Sequence, residues 1–340
     1  MGQIARRPTI RDVASRAGVS TTTVSNALNG RGRLPVETRD RVVDVAREMG
    51  YRARASARAL QRGRSGQIGL LSPALSDADS LVGSGYYIDL ALGAARGALA
   101  QDHALVLLPP AITLDRLSTL DVDGFIVSDP PRADPAVAAI AATGAAIVTC
   151  ERDLTPGLTH AGCVRNDHRS ALSGLLDHLA ERGARHIAML VPGHELAWSA
   201  ELSETYALWC AHRDVQPVQV QIPTTPGPEY ALSALAQVLD RGPVDAIVCA
   251  QDEGAATIVR ELDNRGVRVP EDVLVASCVD GGLVAAANPP VTAIDLKPAA
   301  IGQRAAELLT RILLGDDVDG TEIEVPTELI IRASTEPVRP

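Results

Sequence analysis

The first fifty residues carry the pattern that most restricts the fold: two short helical segments separated by one glycine. Thr9-Ile10-Arg11-Asp12 has the residues of a capping box, which predicts a helix from there to Gly18. Ser20 is suited to cap a second helix over Thr21–Leu28. A turn this tight needs a glycine for its left-handed backbone and small side chains where the helices cross. The spacing therefore predicts a helix-turn-helix.

Residues at the turn and on the second helix support this interpretation. The positions that the motif requires to be small, flexible or apolar are filled by Ala14, Gly18, Val19 and Val24. A third helix is predicted from Val36 to about Met49, and Asn29-Gly30 ends the second. The second helix would expose short polar side chains that reach base edges and phosphates in a major groove. These side chains are Thr21, Thr22, Ser25 and Asn26. A plain three-helix bundle without a DNA role is the alternative.

The distribution of charge separates the head from the rest of the chain. The formal net charge is −10, which argues weakly against a nucleic-acid partner. Residues 1–65, however, hold 14 Arg, no Lys and five acids, so they carry +9 and the remainder carries −19. A basic head on an acidic body is typical of a head that meets phosphates. A disordered Arg-rich tail is the alternative, and the helical pattern argues against it.

The segment after the third helix, residues 51–63, is rich in Ala and Arg and has one large apolar residue, Leu60. A helix this short is marginal alone because nucleation is costly. DNA would stabilise it, since arginines neutralise phosphates and Leu60 is shaped to wedge into a base step of the minor groove. Without DNA the segment is expected to be a flexible linker.

The run TIRDVASRAGVSTTTVSNALNGRGRLPVETRDRVVDVAREMGY, followed by ASARALQRGRSGQIGLL, resembles the DNA-binding head and hinge of the LacI/GalR (lactose-repressor) family. The resemblance implies base contacts from Thr21, Thr22 and Asn26, and backbone or supporting contacts from Thr23, Ser25 and Asn29. It also places Ala57 and Leu60 in the minor groove and implies a homodimer on a near-palindromic operator. The complete candidate set for DNA contact is Thr9, Ser20, Thr21, Thr22, Thr23, Ser25, Asn26, Asn29, Ala57, Arg58 and Leu60.

Behind the hinge, short β-rich runs alternate with longer Ala/Leu helical runs, which predicts doubly wound parallel sheets. About ten strands in roughly 270 residues suit two sheets better than one. The strands are predicted at 68–72, 104–108, 124–127, 146–149, 186–190, 218–222, 246–249, 274–278, 292–295 and 328–331. The helices singled out are 86–101, 168–182, 253–265 and 301–314.

The resemblance extends, more thinly, over RGARHIAML, VDAIVCAQDEGAATIVRELDNRGVRVPEDVLVAS and NPPVTAIDLKPAAIGQRAAELL. It implies an effector-binding module like the periplasmic sugar-binding proteins, with two subdomains joined by three crossovers. The expected subdomains are 67–165 with 296–324, and 166–295 with 325–335. The expected domains are a helix-turn-helix at 1–52, a hinge at 53–65 and an effector-binding and dimerisation domain at 66–335.

Ligands of open parallel sheets bind beyond the carboxyl ends of the strands, here in a cleft between two sheets. Asp252 follows such a strand, and a carboxylate accepts ligand hydroxyls; a helix-stabilising Asp is the alternative. The resemblance adds Tyr86, Tyr87 and Asp167, although aromatics at a helix start are often core. The resemblance implies a sugar-like or nucleoside-like effector. An Arg that the family often carries is replaced by Leu202, and Thr205 replaces a nearby Gly. Either the effector is atypical or the response to one has been lost.

Rival functions have less support. Gly83-Ser84-Gly85 is a partial dinucleotide fingerprint, a weak sign of an NAD-dependent dehydrogenase. A periplasmic-type binding protein would share the body, but it would need a signal peptide and would not carry a basic head. No P-loop or HExxH occurs, and His168 and His178 are ten residues apart, so no catalytic residue, metal or cofactor is expected.

The sequence also favours a location in the cytoplasm. The five Cys form no CxxC motif, which fits free thiols in a reducing cytosol. No signal peptide or membrane span is apparent, so a cytoplasmic, nucleoid-associated protein is expected. The favoured function is a DNA-binding regulator, with repression the expected outcome and small-molecule control.

Overall fold

A computed structural model describes residues 8–28, 30, 32–51, 64–72, 85–109, 112–157, 160–193, 195–223, 228–318 and 320–336. The chain divides after Ser65 into two units, here called the head and the body.

The head is built from three helices, α1 (Ile10–Ala17), α2 (Thr21–Leu28) and α3 (Val36–Glu48). Their shared core is small because all of its buried residues are Val or Ala: Val13, Ala14, Ala17, Val24, Ala27, Val42 and Ala46. The predicted capping box is present, with the Thr9 backbone N–H donating to Asp12 Oδ2 over 2.7 Å. Gly18 has a φ of +66°, the left-handed conformation that the turn between α1 and α2 requires. The helix-turn-helix prediction is confirmed.

The body contains two six-stranded sheets. The first has the strand order β11-β5-β4-β3-β1-β2 and is entirely parallel. Its strands are β1 (Gln67–Leu71), β2 (Ala104–Leu108), β3 (Gly124–Ser128), β4 (Ala146–Cys150), β5 (Gly162–Arg165) and β11 (Thr321–Glu324). The helices α4 (Gly85–Ala100), α5 (Leu114–Thr119), α6 (Pro135–Ala142) and α12 (Pro298–Leu314) accompany it. We call this sheet and its helices the first lobe.

The second sheet has the order β12-β10-β9-β8-β6-β7, with β12 antiparallel to β10 and the other neighbours parallel. Its strands are β6 (Ile187–Pro192), β7 (Val218–Ile222), β8 (Ala246–Cys249), β9 (Leu274–Ser277), β10 (Thr292–Asp295) and β12 (Glu328–Ile330). With it lie α7 (His168–Glu181), α8 (Ala197–His212), α9 (Pro228–Asp240), α10 (Asp252–Asn264) and α11 (Gly282–Ala285). We call this the second lobe.

All ten predicted strands are present with ends shifted by at most two residues, but β5 and β11 were missed. Strand β5 is only four residues long, Gly-Cys-Val-Arg. Strand β11 is Thr-Glu-Ile-Glu at the outer edge of the first sheet, where its side chains are alternately exposed and half-buried. Edge strands are often charged, as β11 is, and β5 lies inside the sheet but is too short to show a clear pattern. Neither segment therefore has the apolar run that indicates a buried strand.

The chain passes between the lobes three times, after β5, after β10 and after β11. Asn166, which is fully buried, lies at the first crossover and ties it to the other two. Its side-chain amide donates to the Leu296 carbonyl over 3.1 Å and to the Val325 carbonyl over 2.8 Å. One side chain therefore fixes the spacing of all three connections.

Helices α4 and α12 touch through their backbones because glycines line the contact. A Cβ atom on Gly93 would lie 1.9 Å from the Ala299 carbonyl oxygen, and one on Gly302 would lie 1.9 Å from the Leu90 carbonyl oxygen. On Gly97 a Cβ would lie 2.7 Å from the Gln303 carbonyl oxygen. No side chain fits at these positions without separating the helices.

We expect Gly302→Ala to lower the free energy of unfolding by roughly 3 kcal/mol, the upper end for an over-packed core, because the obstacle is backbone. The matched control is Gly174→Ala on α7, where a Cβ meets nothing within 4 Å. That change should stabilise the protein by roughly 0.5–1 kcal/mol, since alanine is the better helix former. Urea unfolding of both variants measures the contrast, and equal effects would refute the tight contact.

Candidate functional sites

Helix α2 presents a polar face on the head. Val24 and Ala27 hold it against α1 and α3, while Thr21 and Thr22 are exposed and Asn26 is half-buried. Hydroxyl and amide groups in this arrangement are suited to donate to and accept from base edges. The head also exposes arginines, which suit phosphates: Arg11, Arg33, Arg41 and Arg47.

Some of the predicted DNA contacts also cap helices. The Thr9 hydroxyl donates to Asp12 Oδ2 over 2.8 Å within the capping box of α1. Ser20 Oγ accepts the Thr23 backbone N–H over 3.0 Å and so caps α2. The side-chain amide of Asn26 leans toward Gly32 at the end of the following turn. The predicted contacts Asn29, Ala57, Arg58 and Leu60 lie outside the described residues.

In the body, two acidic residues directly follow neighbouring strands of the first sheet. Asp129 comes after β3 and Glu151 after β4, and both side chains are almost completely buried. Both have left-handed backbones, with φ of +47° and +71°. Non-glycine residues hold this conformation at a cost of order 1 kcal/mol, and such residues are concentrated at functional sites. The carboxyl ends of parallel strands are where ligands bind in open α/β sheets.

Groups from the second lobe meet these acids. His168, the first residue of α7, has its Nε2 atom 3.1 Å from Glu151 Oε1, and both side chains are buried. Nearby, Arg152 of the first lobe pairs over 3.1 Å with Glu201 on α8. The acids of the first sheet therefore lie where the two lobes meet.

The predicted tyrosines complete this group from α4. Their rings are in an edge-to-face arrangement with centroids 5.2 Å apart, and both side chains are only partly buried. The Tyr87 hydroxyl donates to the Asp129 carboxylate. Tyr86 packs against the cores of both lobes. We call Tyr86, Tyr87, Asp129, Glu151 and His168 the acid–tyrosine cluster.

Burial sets the electrostatics of the cluster. Desolvation, and then the neighbouring Glu151, raise the pKa of Asp129 to about 7, although the Tyr87 hydrogen bond opposes this. Burial alone would lower the pKa of His168, but the carboxylates of Glu151, Glu201 and Asp129 raise it above its usual value. Glu151 and His168 are thus favoured as an ion pair, and the charge of His168 also opposes the rise in the pKa of Asp129.

Asp252 lies apart from this cluster, at the carboxyl end of β8 in the second lobe, as its position after a strand predicted. Burial raises its pKa to about 6. A Cβ atom on Gly281 would lie 2.7 Å from Asp252 Oδ2, so glycine leaves room for this carboxylate. The neighbouring Asp280 is held by Arg332 through two hydrogen bonds of 2.7 and 2.9 Å. The Asp252 side chain is half-buried, and its carboxylate can accept hydrogen bonds.

The surroundings of Asp167 and Leu202 fit a structural role. Asp167 is the N-cap of α7, and its Oδ1 accepts the Ser170 backbone N–H over 3.1 Å. Leu202 is buried in the core of the second lobe.

Sequence reasoning missed Asp129, Glu151 and His168 as site residues. The signal for the two acids was present, because each comes two residues after a predicted strand, as Asp252 comes three residues after one. The approach of His168 to Glu151 depends on how the lobes are joined, and the linear pattern carries no sign of it.

Residues 9–53 match "Bacterial regulatory proteins, lacI family", and residues 176–335 match "Periplasmic binding protein-like domain". The chain therefore carries a lacI-family DNA-binding domain followed by a periplasmic-binding-protein-like domain. It is therefore a DNA-binding transcriptional regulator and not an enzyme, and the dehydrogenase alternative is set aside.

Similar proteins extend over nearly the whole chain. The HTH-type transcriptional regulator CelR of Thermobifida fusca is 27% identical, over 97% of this chain and 98% of that protein. The HTH-type transcriptional regulator GntR of Pseudomonas aeruginosa is 29% identical, over 97% and 96%. Catabolite control protein A of Staphylococcus epidermidis is 24% identical, over 96% and 99%.

Solved structures share the fold. The lac repressor dimer bound to operator and the anti-inducer ONPF superposes with a TM-score of 0.81 at 22% identity, over 97% of this chain and 99% of that one. A CelR–cellobiose complex superposes with a TM-score of 0.73 at 24% identity, over 96% and 100%. Within the described part of the chain, no helix is long and apolar enough to cross a membrane.

The raised pKa of Asp129 predicts how stability depends on pH. From about pH 4 to about pH 7 the unfolded chain ionises this group while the folded protein keeps it protonated. Its contribution to the free energy of unfolding therefore falls as pH rises, by at most about 1.4 kcal/mol per pH unit, and the loss is complete above the folded-state pKa. Asp129→Asn lacks this titration. We expect its stability advantage over the wild type to widen from about pH 5 to about pH 7.5.

Urea unfolding at the two pH values measures this difference. The exposed Asp121 supplies the control, since Asp121→Asn should change stability little at either pH. If the difference in the free energy of unfolding between Asp129→Asn and the wild type is the same at both pH values, the folded protein does not raise the pKa of Asp129.

Proposed function

We propose that this regulator is a repressor, binds a near-palindromic operator as a homodimer, and responds to a small polar effector held where the lobes of the body meet. The observation that carries the DNA part is the polar face of α2, fixed by Val24 and Ala27 on a head of strongly positive charge. The lac repressor structure, solved as a dimer on its operator, supports the assignment of operator and dimer by analogy.

An apolar stripe on α4 supports the homodimer. Ile88, Leu92 and Leu99 lie one or more helical turns apart on one side of the helix, and all three are exposed. The opposite side of α4, which includes Leu90 and Gly93, is committed to the contact with α12. Exposed apolar side chains in a row on a rigid helix favour burial against a second copy of the chain.

The effector response is proposed to pass through the crossovers. The Asn166 backbone N–H donates to Glu151 Oε1 over 3.2 Å, while its side chain holds the other two crossovers. A ligand that displaces Glu151 would therefore act directly on the connections between the lobes. A change in lobe arrangement alters the dimer, and with it hinge formation and DNA affinity.

The proposal also covers the class of effector, the domain bounds, the hinge and the location in the cell. The effector is sugar-like or nucleoside-like in size, in line with CelR, which was solved with cellobiose. The domains are 1–52 for DNA binding, 53–65 for the hinge and 66–335 for the effector. The hinge would insert Leu60 into the operator. The protein is proposed to act in the cytoplasm, associated with the nucleoid.

We expect Asn26→Ala to weaken operator binding by about 1–3 kcal/mol, the value of one good amide-to-adenine contact, without weakening non-specific binding. The control is Ser15→Ala on the exposed surface of α1, which should leave both affinities unchanged. Binding to a selected palindromic duplex and to a scrambled one is titrated over a range of salt, and the wild type should show a steep slope. Equal losses on the two duplexes would contradict base reading by Asn26.

We expect Leu92→Glu to shift the protein from dimer to monomer, because a charge in an apolar interface is left unpaired. Operator affinity should fall, since each half-site would then be bound alone. Leu208→Glu on α8 is the matched control, because Leu208 is 49% exposed and Leu92 is 51% exposed. Sedimentation velocity gives the oligomeric state, and a dimeric Leu92→Glu variant would exclude this stripe as the interface.

A further inference from the structure

The chain enters the body at Gly66, directly after the proposed hinge, and this glycine is held from both sides. Its backbone N–H donates to Asp123 Oδ2 over 2.8 Å, and its carbonyl accepts the Ala104 N–H over 2.8 Å. Gly66 has a φ of +72°, a left-handed conformation that favours glycine. We call Gly66, Asp123 and Ala104 the entry clamp. It fixes the point at which the hinge joins the first sheet.

Asp123 is the side chain on which the entry clamp depends. It lies 57 residues beyond Gly66 in the chain, immediately before β3, and is only 10% exposed. Its own backbone N–H donates to the Gln67 carbonyl over 2.8 Å, so Asp123 holds two successive residues of the entering chain. His103 packs beside it, with Nε2 3.9 Å from Asp123 Oδ2. The carboxylate is thus fixed by the sheet and aimed at the backbone of the entering chain.

The second lobe repeats this arrangement at the equivalent place, since the pairing of β6 with β8 corresponds to that of β1 with β3. Asp245 lies immediately before β8, and its Oδ2 accepts the backbone N–H groups of Arg185 and His186, both over 2.8 Å. Its own N–H donates to the His186 carbonyl over 2.8 Å. An aspartate before the strand therefore has a structural use in both lobes. In the first lobe, however, the segment it holds is the one that arrives from the head.

The entry clamp is also tied to the helix that carries the apolar stripe. The His103 backbone N–H donates over 2.9 Å to the Ala98 carbonyl near the end of α4, and the next residue, Leu99, is 74% exposed. A short series of contacts thus leads from the stripe to Gly66. In a dimer formed through α4, the distance between the two hinges is set at this point. Binding of both half-sites at once depends on that distance.

We propose that Asp123 is a positioning residue for operator binding: it fixes the point from which each hinge leaves the body, so that the two heads of a dimer match the spacing of the half-sites. The inference rests on the proposed dimer and hinge. A head whose hinge starts from an unfixed point loses effective concentration at its half-site but keeps its contacts with phosphates. Loss of the entry clamp therefore reduces selectivity for half-site spacing, and DNA binding as such remains.

The test compares three variants of the full-length protein with the wild type. Asp123→Ala removes the acceptor of the Gly66 N–H, Asp123→Asn keeps an acceptor oxygen at the same place, and Asp245→Ala is the matched control in the second lobe. Each protein is titrated onto the selected palindromic duplex, onto the same half-sites with extra base pairs between them, and onto a scrambled duplex. Urea unfolding of each variant measures how much stability it has lost.

We expect Asp123→Ala to bind the selected duplex about tenfold more weakly than the wild type, because part of the effective concentration of the second head is lost. Its affinity for the scrambled duplex should be unchanged. Extra base pairs should weaken its binding less than they weaken binding by the wild type. Asp123→Asn should restore the affinity and the dependence on spacing. Asp245→Ala should lose a similar amount of stability yet keep the operator affinity of the wild type.

Four results would overturn the proposal: full operator affinity in Asp123→Ala, an equal loss in Asp245→Ala, an unchanged dependence on spacing, or no rescue by Asp123→Asn. If Asp123→Ala fails to fold, Asp123→Ser takes its place, because its hydroxyl is polar but too short to reach Gly66. A wild type that does not distinguish the palindromic from the scrambled duplex would contradict the proposed function. A wild type that distinguishes them but tolerates the extra base pairs would contradict only the role of Asp123.

Discussion

One buried amide holds the body of this protein together. Asn166 donates from its side chain to carbonyls on two other crossovers and from its backbone to Glu151. These groups are desolvated, so removing the amide would leave two carbonyls unsatisfied at the place where the lobes are joined. Asn166 therefore couples the positions of the three connections between the lobes. The acid–tyrosine cluster touches the same point, which joins ligand chemistry to lobe geometry.

The cluster also shows a conflict between stability and binding. Asp129 and Glu151 have left-handed backbones and face each other's charge in a buried place. A folded protein selected for stability alone would carry amides or apolar side chains there. Such departures from local rules are concentrated at functional sites, where the cost is recovered when a ligand binds. The Asp252 site, next to the permissive Gly281, has the same character in milder form.

The sequence predicted much of this arrangement because the relevant signals are local. The turn at Gly18, the capping box at Thr9 and the strands with apolar runs all depend on neighbours within a few residues. Strand β5 was missed because it is only four residues long, and the edge strand β11 was missed because its charged residues give no local apolar signal. The meeting of His168 with Glu151 could not be predicted, since it depends on the angle at which two lobes are joined. Tyr87 was proposed by resemblance, but its partner Asp129 became visible only in three dimensions.

The glycine contact between α4 and α12 has a consequence for how the protein is made. Helix α12 begins at Pro298, yet it packs directly on α4 and against the first sheet. The first lobe therefore cannot complete its core until α12 has left the ribosome. The head needs only its own three helices and is free to fold early. A nascent chain would thus have a folded DNA-binding head before it has a working sensor, and the emergence of α12 brings the two functions under common control.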